Sequence, residues 1–132
     1  MKLQLRRQIT IALKNEPGQL AKACDALARK GVNIDAISIL DTIEQGVIRL
    51  LTSDYATARE ILTAQGCHVV EAEVLEIEAK NHPGTLAKLA RSLADAGINI
   101  EYAYGTEGSS SELMRICLRV SDPAKALNVL GG

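Results

Sequence analysis

The sequence predicts an α+β fold made of two copies of one strand–helix–strand–strand–helix–strand unit. The first observation is an internal repeat: residues 15–35 and 81–101 align at an offset of 66 residues, with 11 identities in 21 positions. The second is the alternation of apolar and polar residues in segments such as "QITIALK", which is typical of a strand. The third is an apolar stripe at helical spacing directly after that segment, formed in the first copy by Leu20, Cys24 and Leu27.

After its first helix, each copy continues with a strand, a hairpin and a returning strand. Gly31 and Gly97 stand where a glycine ends a helix, since they follow the last residue of each apolar stripe. In the first copy "VNIDAISIL" and "VIRLLT" are the two strands, and residues 42–46, "TIEQG", are the predicted hairpin connection.

A second helix follows in each copy and begins with a capping residue. In the first copy Asp54 or Ser53 can cap it, because both side chains carry an oxygen that accepts from a helix N–H group. In the second copy the equivalent candidates are Ser121 and Asp122, and Pro123 fits the first helical turn.

The alternating segment "CHVVEAEVLEIEAK" is too long for one ordinary strand. We interpret it as the last strand of the first copy running into the first strand of the second. The copies then span residues 8–73 and 74–132, and each is a ferredoxin-like βαββαβ unit with an antiparallel sheet and two helices on one face.

The second copy ends just after its second helix and therefore lacks a final strand. The chain start aligns with "CHVVEAE" at the same offset of 66 residues, so a spare strand lies at the N-terminus. We expect residues 1–7 to complete the sheet of the second copy, either within the chain or in a dimer partner, because proteins avoid exposed strand edges. The alternative is a second sheet of only three strands.

Composition excludes several classes of function. The 132 residues carry a net charge of −1, which argues against nucleic-acid and membrane-surface binding. Three scattered cysteines form no C-x-x-C pair and suit a reducing compartment, so we expect a cytoplasmic protein. No apolar run is long enough to span a membrane.

The loop Asn-x-Pro-Gly occurs twice, each time between a strand end and a helix start. A helix N-terminus presents unsatisfied N–H groups and a positive dipole end, and a glycine there leaves the backbone accessible to a small anion. A carboxylate or phosphate is the expected guest. The structural alternative is that Asn caps the helix, Pro opens it and Gly allows close packing on the sheet, and the tetrapeptide alone favours this alternative.

The wider pattern, N-x-P-G-x-L-A followed by a helix and G-[VI]-N-I, resembles the ACT domain, a small module that binds amino acids and regulates metabolic enzymes. The resemblance covers almost the whole chain and is greatest to proteins made only of two ACT repeats. It implies a ligand amino acid where two domains pair side by side, in contact with the first strand–helix loop of one domain.

Carried onto this sequence, the resemblance gives a set of ligand-binding candidates in both repeats. They are Asn15, Pro17, Gly18, Gln19, Leu20, Asn33 and Ile34, and Asn81, Pro83, Gly84, Thr85, Leu86, Ile98, Asn99 and Ile100. His82, within the second loop, is a further candidate on account of its charge. The second loop is the better candidate for a carboxylate, because Glu16 in the first loop would repel it while His82 tolerates an anion. Tyr102 and Tyr104 lie two apart on a strand and can wall a pocket, although sheet packing is the commoner role.

We expect no catalytic residues, no metal ligands and no cofactor. The histidines have no Cys, Asp or Glu at metal-ligand spacing, and no Ser-His-Asp set or phosphate-binding loop is present. Two functions stay open. One is a sensor that binds a free amino acid or similar small carboxylate. The other is a regulatory or structural subunit that pairs with a metabolic enzyme or with itself without a ligand, and both predict a homodimer.

Overall fold

The computed structural model describes residues 1–41 and 45–131. The chain forms two compact units, one of Arg7–Ala72 and one of Met1–Arg6 together with Glu73–Gly132. Each unit has its own hydrophobic core. The elements in chain order are β1 (Lys2–Lys14), α1 (Gln19–Arg29), β2 (Ile34–Asp41), β3 (Gln45–Thr52), α2 (Tyr55–Ala64), β4 (Val70–Lys80), α3 (Thr85–Asp95), β5 (Ile100–Glu107), β6 (Leu113–Val120) and α4 (Pro123–Gly131).

In the unit Arg7–Ala72 the strand order is β2-β3-β1 with antiparallel pairing. Ile9 lies opposite Leu50 across β1 and β3, so both side chains project from the same face of the sheet. That face carries α1 and α2, whose Leu27 and Leu62 pack into the same buried cluster. The alternating residues of the sequence therefore lie in turn on the buried face that carries the helices and on the opposite face of the sheet.

In the other unit the order is β1-β4-β6-β5, and β1 contributes only its first residues. Leu3 and Leu5 pack against the core of this unit. On the opposite face Gln4 Nε2 donates to Glu76 Oε1 at 2.7 Å, and Arg6 Nη1 lies 2.9 Å from Glu76 Oε2. The N-terminal residues thus lie beside β4 in the unit built by the second repeat, within the same chain.

The α+β prediction of two ferredoxin-like βαββαβ repeats is confirmed. Gly31 and Gly97 end α1 and α3 with φ of +71° and +75°. Gly31 N–H donates to Ala28 and Val32 N–H to Leu27, the paired bonds of a Schellman motif. The predicted hairpin connection differs in part, because Gln45 and Gly46 already belong to β3; residues 42–44 lie outside the described residues.

The capping residues are the two aspartates. Asp54 accepts from Thr57 N–H at 3.1 Å and Asp122 accepts from Lys125 N–H at 3.0 Å. The adjacent serines instead bond to the loop that follows the first helix of each repeat, as described below.

Candidate functional site

The second Asn-x-Pro-Gly loop is held in place by a residue outside the tetrapeptide. Thr85, the first residue of α3, is buried, and its Oγ1 donates to Lys80 O at 2.7 Å. The same oxygen lies 3.2 Å from His82 Nδ1, which is 3.1 Å from Pro83 O. Asn81 N–H donates to the backbone oxygen of Glu112, the residue before β6, at 2.8 Å. These bonds fix the position of the imidazole beside the start of α3.

The first loop has the same backbone turn with different side chains. Gly18 precedes α1 with φ of +87° and Gly84 precedes α3 with φ of +96°. A Cβ at either position would meet nothing within 4 Å, so the turn needs glycine for its left-handed conformation and not for close packing. Neither helix has a side-chain cap, and Asn15 Nδ2 donates instead to Asp41 Oδ1 at 2.9 Å. The capping role considered for the loop asparagines is therefore wrong.

A cavity of about 310 Å³ opens beside the second loop, between α3 and α4. Its lining includes Lys80, His82, Thr85, Lys88 and Ser92 on the polar side. Leu89, Val129 and Leu130 supply apolar surface. No Asp or Glu of the described chain lines it, so the cavity has the positive character that a carboxylate requires.

The first loop borders a smaller pocket of about 160 Å³ in the other unit. Asn15, Gln19 and Leu20 line it, as does Glu16. Because its lining holds a carboxylate next to one lysine, Lys14, this pocket is less suited to an anion than the cavity at the second loop.

The Gly-x-Asn-Ile elements lie at the other end of each first helix, away from the loops. Asn33 exchanges two bonds with Ser53, one from each backbone N–H, at 2.9 Å each. Asn99 and Ser121 repeat this exchange at 3.0 Å each. An eleven-residue helix is about 16 Å long, so one unit does not bring this element and its loop into a single pocket.

The remaining residues of these elements are largely covered. Ile98 is buried in the core cluster of its unit, and Ile34 and Ile100 pack against the cores. The structure therefore gives the Asn-Ile pairs a clear local role in joining the first helix to the second helix's cap. The motif match alone did not reveal this role.

Tyr102 and Tyr104 lie on the face of the sheet that points away from the helices. They stand opposite Arg119 and Cys117 on β6, while their strand neighbour Ala103 stands opposite buried Leu118. Burial raises the pKa of the Cys117 thiol to about 11, and the nearby Glu76 carboxylate adds to the increase. In this unit the tyrosines do not line the cavity beside the second loop.

Sequence reasoning missed three polar residues of this cavity, Lys80, Lys88 and Ser92, and also its apolar lining of Met1, Leu89, Val129 and Leu130. The available signal was spacing, because Thr85, Lys88 and Ser92 lie three and four residues apart and so share one face of α3. Among the described residues no group of three or more His, Cys, Asp or Glu side chains is placed to hold a metal ion. None of the described helices has the length and apolar character needed to cross a bilayer.

Comparison with known proteins agrees with this architecture. A family model described as an ACT domain pair matches residues 4–130. A crystal structure of a Bacteroides thetaiotaomicron protein has a TM-score of 0.90 and 29% identity, with 98% of this chain and 88% of that one covered. No curated protein matches the sequence.

Two regulatory subunits of aspartate kinase show likeness of fold. The ligand-free Thermus thermophilus subunit has a TM-score of 0.68 and 20% identity, covering 98% of this chain and 94% of that one. The Thermus flavus subunit has a TM-score of 0.69 and 24% identity, with the same coverage of 98% and 94%. Since the family model spans nearly the whole sequence, the resemblance is confirmed, and the chain belongs to the family of ACT domain pairs.

Proposed function

We propose that this ACT domain pair is a non-catalytic regulatory protein that binds a free amino acid, or a similar small carboxylate, at the second Asn-x-Pro-Gly loop. The observation that carries the proposal is the cavity beside that loop, which has two lysines and a histidine in its lining and no acidic residue of the described chain. Its volume of about 310 Å³ lies at the lower end of the range for small-ligand sites.

The lining can bind both ends of such a ligand. A carboxylate would sit between the ammonium groups of Lys80 and Lys88, near the imidazole of His82. The hydroxyl of Ser92 can accept from a ligand ammonium group, and Leu89 and Val129 offer contact for an apolar side chain. The other candidates from the sequence, including Tyr102 and Tyr104, do not line this cavity. We propose that they contact the ligand where two domains pair side by side.

The relatives support a regulatory role. Two similar structures are regulatory subunits of aspartate kinase, and ACT domain pairs are regulatory modules. We infer that this protein acts in the cytoplasm as a homodimer and passes ligand occupancy to a metabolic enzyme. The alternative is a subunit that pairs without a ligand, and one observation favours it. The Thr85 hydroxyl already donates to the backbone oxygen of Lys80 and contacts His82 Nδ1, so the loop is held in place without a ligand.

A thermal-shift screen against the twenty amino acids and small dicarboxylates tests the proposal. A ligand at 100 times its dissociation constant stabilises the folded state by about 2.7 kcal/mol, which is readily measured as an increase in Tm. Calorimetric titration of the best hit then gives stoichiometry and affinity. A flat response to every compound would overturn the sensor proposal and leave the ligand-free subunit.

The repeat supplies a matched control for the site. Lys88 and Lys22 occupy equivalent positions on α3 and α1, but only Lys88 lines the larger cavity. Lys88→Ala should weaken binding of the hit, whereas Lys22→Ala should leave it unchanged. Equal losses, or a loss only with Lys22→Ala, would contradict the choice of the second loop.

A further inference from the structure

The charged side chains around the cavity at the second loop all belong to basic residues. Lys80 and Lys88 line it together with His82, and the rest of the lining is either polar and uncharged or apolar. Within residues 1–41 and 45–131 neither lysine forms an ion pair. The protein therefore leaves both positive charges at the cavity without a counterion of its own, and an anionic ligand can supply one.

The two lysines come from different elements. Lys80 is the last residue of β4, and Lys88 lies one turn into α3. They border the same cavity, so a bound molecule can meet a cation at two separate positions. Leu89, which is buried, and Val129 add apolar surface to the lining. This arrangement suits a molecule with two anionic groups joined by a short hydrocarbon chain.

A free amino acid matches this lining less well. Its carboxylate can pair with one lysine, but its ammonium group would lie in a cavity of about 310 Å³ that Lys80 and Lys88 already line. Ser92 offers a neutral hydroxyl as an acceptor, and no carboxylate of the described residues lines the cavity to balance the added charge. Like charges a few ångströms apart repel, so the ammonium group lowers the affinity.

We propose that this cavity selects a small dicarboxylate without an ammonium group over a zwitterionic amino acid. The inference rests on the proposed function and narrows its ligand from amino acids and similar small carboxylates to dianions. One carboxylate pairs with Lys80 and the other with Lys88, and the hydrocarbon chain that joins them packs on Leu89 and Val129.

The first repeat shows which residue sets this preference. Both loops form the same turn, in which Gln19 N–H donates to Glu16 O at 3.4 Å and Thr85 N–H donates to His82 O at 3.3 Å. Glu16 and His82 therefore occupy the same place in the turn. The first pocket has one carboxylate beside one lysine, the balance that a zwitterion requires, whereas His82 leaves the lining of the second cavity without a negative charge.

The expected selectivity is moderate because Lys80, His82 and Lys88 are exposed to solvent. An exposed ion pair changes a dissociation constant by up to about fivefold, and a pair of like charges has an effect of similar size. Two lysines that act on one ammonium group therefore give a difference of about 5- to 25-fold. Salt screens such interactions, so the affinity for a dicarboxylate should fall as the ionic strength rises.

Calorimetric titration of the full chain with succinate, aspartate and butyrate tests the selectivity on one carbon skeleton. Succinate should bind most tightly, aspartate about 5- to 25-fold more weakly because of its ammonium group, and butyrate up to about fivefold more weakly because it lacks one carboxylate. An increase from about 0.05 M to about 0.2 M salt should weaken the binding of succinate. Inorganic phosphate, a dianion without a hydrocarbon chain, should bind more weakly than succinate.

His82→Glu and Lys22→Gln are the matched variants. His82→Glu gives the second loop the charge of the first, and the turn accommodates glutamate because Glu16 occupies the equivalent place. It should weaken the binding of succinate by about fivefold or more and reduce its advantage over aspartate. Lys22→Gln also removes one unit of positive charge, at the α1 position equivalent to Lys88, and should leave both dissociation constants unchanged. Melting curves without ligand check that both variants are folded.

Aspartate that binds as tightly as succinate, or more tightly, would overturn the dicarboxylate preference and leave the sensor proposal standing. Tighter binding of phosphate would have the same consequence. If His82→Glu has no effect, or the same effect as Lys22→Gln, the dicarboxylate does not bind in this cavity and the inference fails. If no amino acid or carboxylate binds at all, the proposed function fails with it, so the two failures are distinguishable.

Discussion

Substitution of Leu3 tests which of the two units the N-terminal strand segment stabilises. Leu3 is half-buried and packs against the core of the unit that contains residues 73–132. Its equivalent one repeat later is Val69, also half-buried, which packs against the core of Arg7–Ala72. Leu3→Ala and Val69→Ala should therefore loosen different units, although the two residues occupy the same place in the repeat.

The expected loss in the free energy of unfolding follows from the apolar contact that each substitution removes. Truncating a fully buried leucine to alanine costs about 2–5 kcal/mol, and a half-buried one roughly half of that, so Leu3→Ala should cost about 1–2 kcal/mol. Val69→Ala removes two methyl groups and should cost about 1 kcal/mol. A loss of 1–2 kcal/mol raises the population of the open state by roughly 5- to 30-fold.

Amide hydrogen exchange followed by mass spectrometry localises this loss. In Leu3→Ala the protected amides of β6 should exchange roughly 5- to 30-fold faster, while those of β3 should be unchanged. Val69→Ala should show the reverse. Faster exchange in β3 alone for Leu3→Ala would refute the assignment of Met1–Arg6 to the unit that contains residues 73–132.

Three further outcomes are expected. The Thr57 hydroxyl and N–H that donate to Asp54 hold the pKa of its carboxyl below the usual value. Its stabilising effect is therefore complete above the unfolded pKa and is lost as pH falls through the folded pKa. The Tm gap between the native protein and Asp54→Ala should accordingly narrow as the pH falls below the ordinary aspartate pKa of about 3.9. Cys117, with a pKa of about 11, should react with a maleimide at neutral pH roughly two orders of magnitude more slowly than an ordinary thiol, as peptide mass spectrometry would show. Gly97→Ala should cost about 1 kcal/mol in urea denaturation, because its φ is +75°. Gly46→Ala, where an added Cβ meets its nearest atoms at 3.9 and 4.0 Å, should change stability by less than about 0.5 kcal/mol.

The apolar periodicity of the sequence predicted the fold because the residues that face the core must recur at the spacing of a strand or a helix. The 66-residue offset aligned helices and strands that do occupy equivalent places, and Gly31 ends α1 as its position in the sequence indicated. The apolar pattern could not decide between two neighbouring residues that can both cap a helix. Ser53 and Asp54 are both good caps, and only the structure shows that Ser53 Oγ accepts from Asn33 N–H, which leaves the cap to Asp54.

The candidate site was predictable in location and less so in composition. His82 and Thr85 were identified from the loop, and both line the cavity. Lys80 comes from the end of β4 and Lys88 from one turn into α3, and both line one cavity because α3 packs on β4 in the same buried cluster. The motif match placed Asn99 among the ligand-binding candidates, and the structure adds that its backbone N–H donates to Ser121 at the far end of the helix from the loop.

The division of β1 between the two units bears on how the protein is made. Gln4 bonds to a residue 72 positions later, so the ribosome must synthesise more than half of the chain before the first strand segment can reach its partner. Until then Lys2–Arg6 is an unsatisfied strand tethered to a first repeat that can already collapse. Long-range pairing of this kind slows folding and leaves an edge open to other nascent chains. The basic Lys2 and Arg6 in this segment supply the charge that would keep it from associating during that interval.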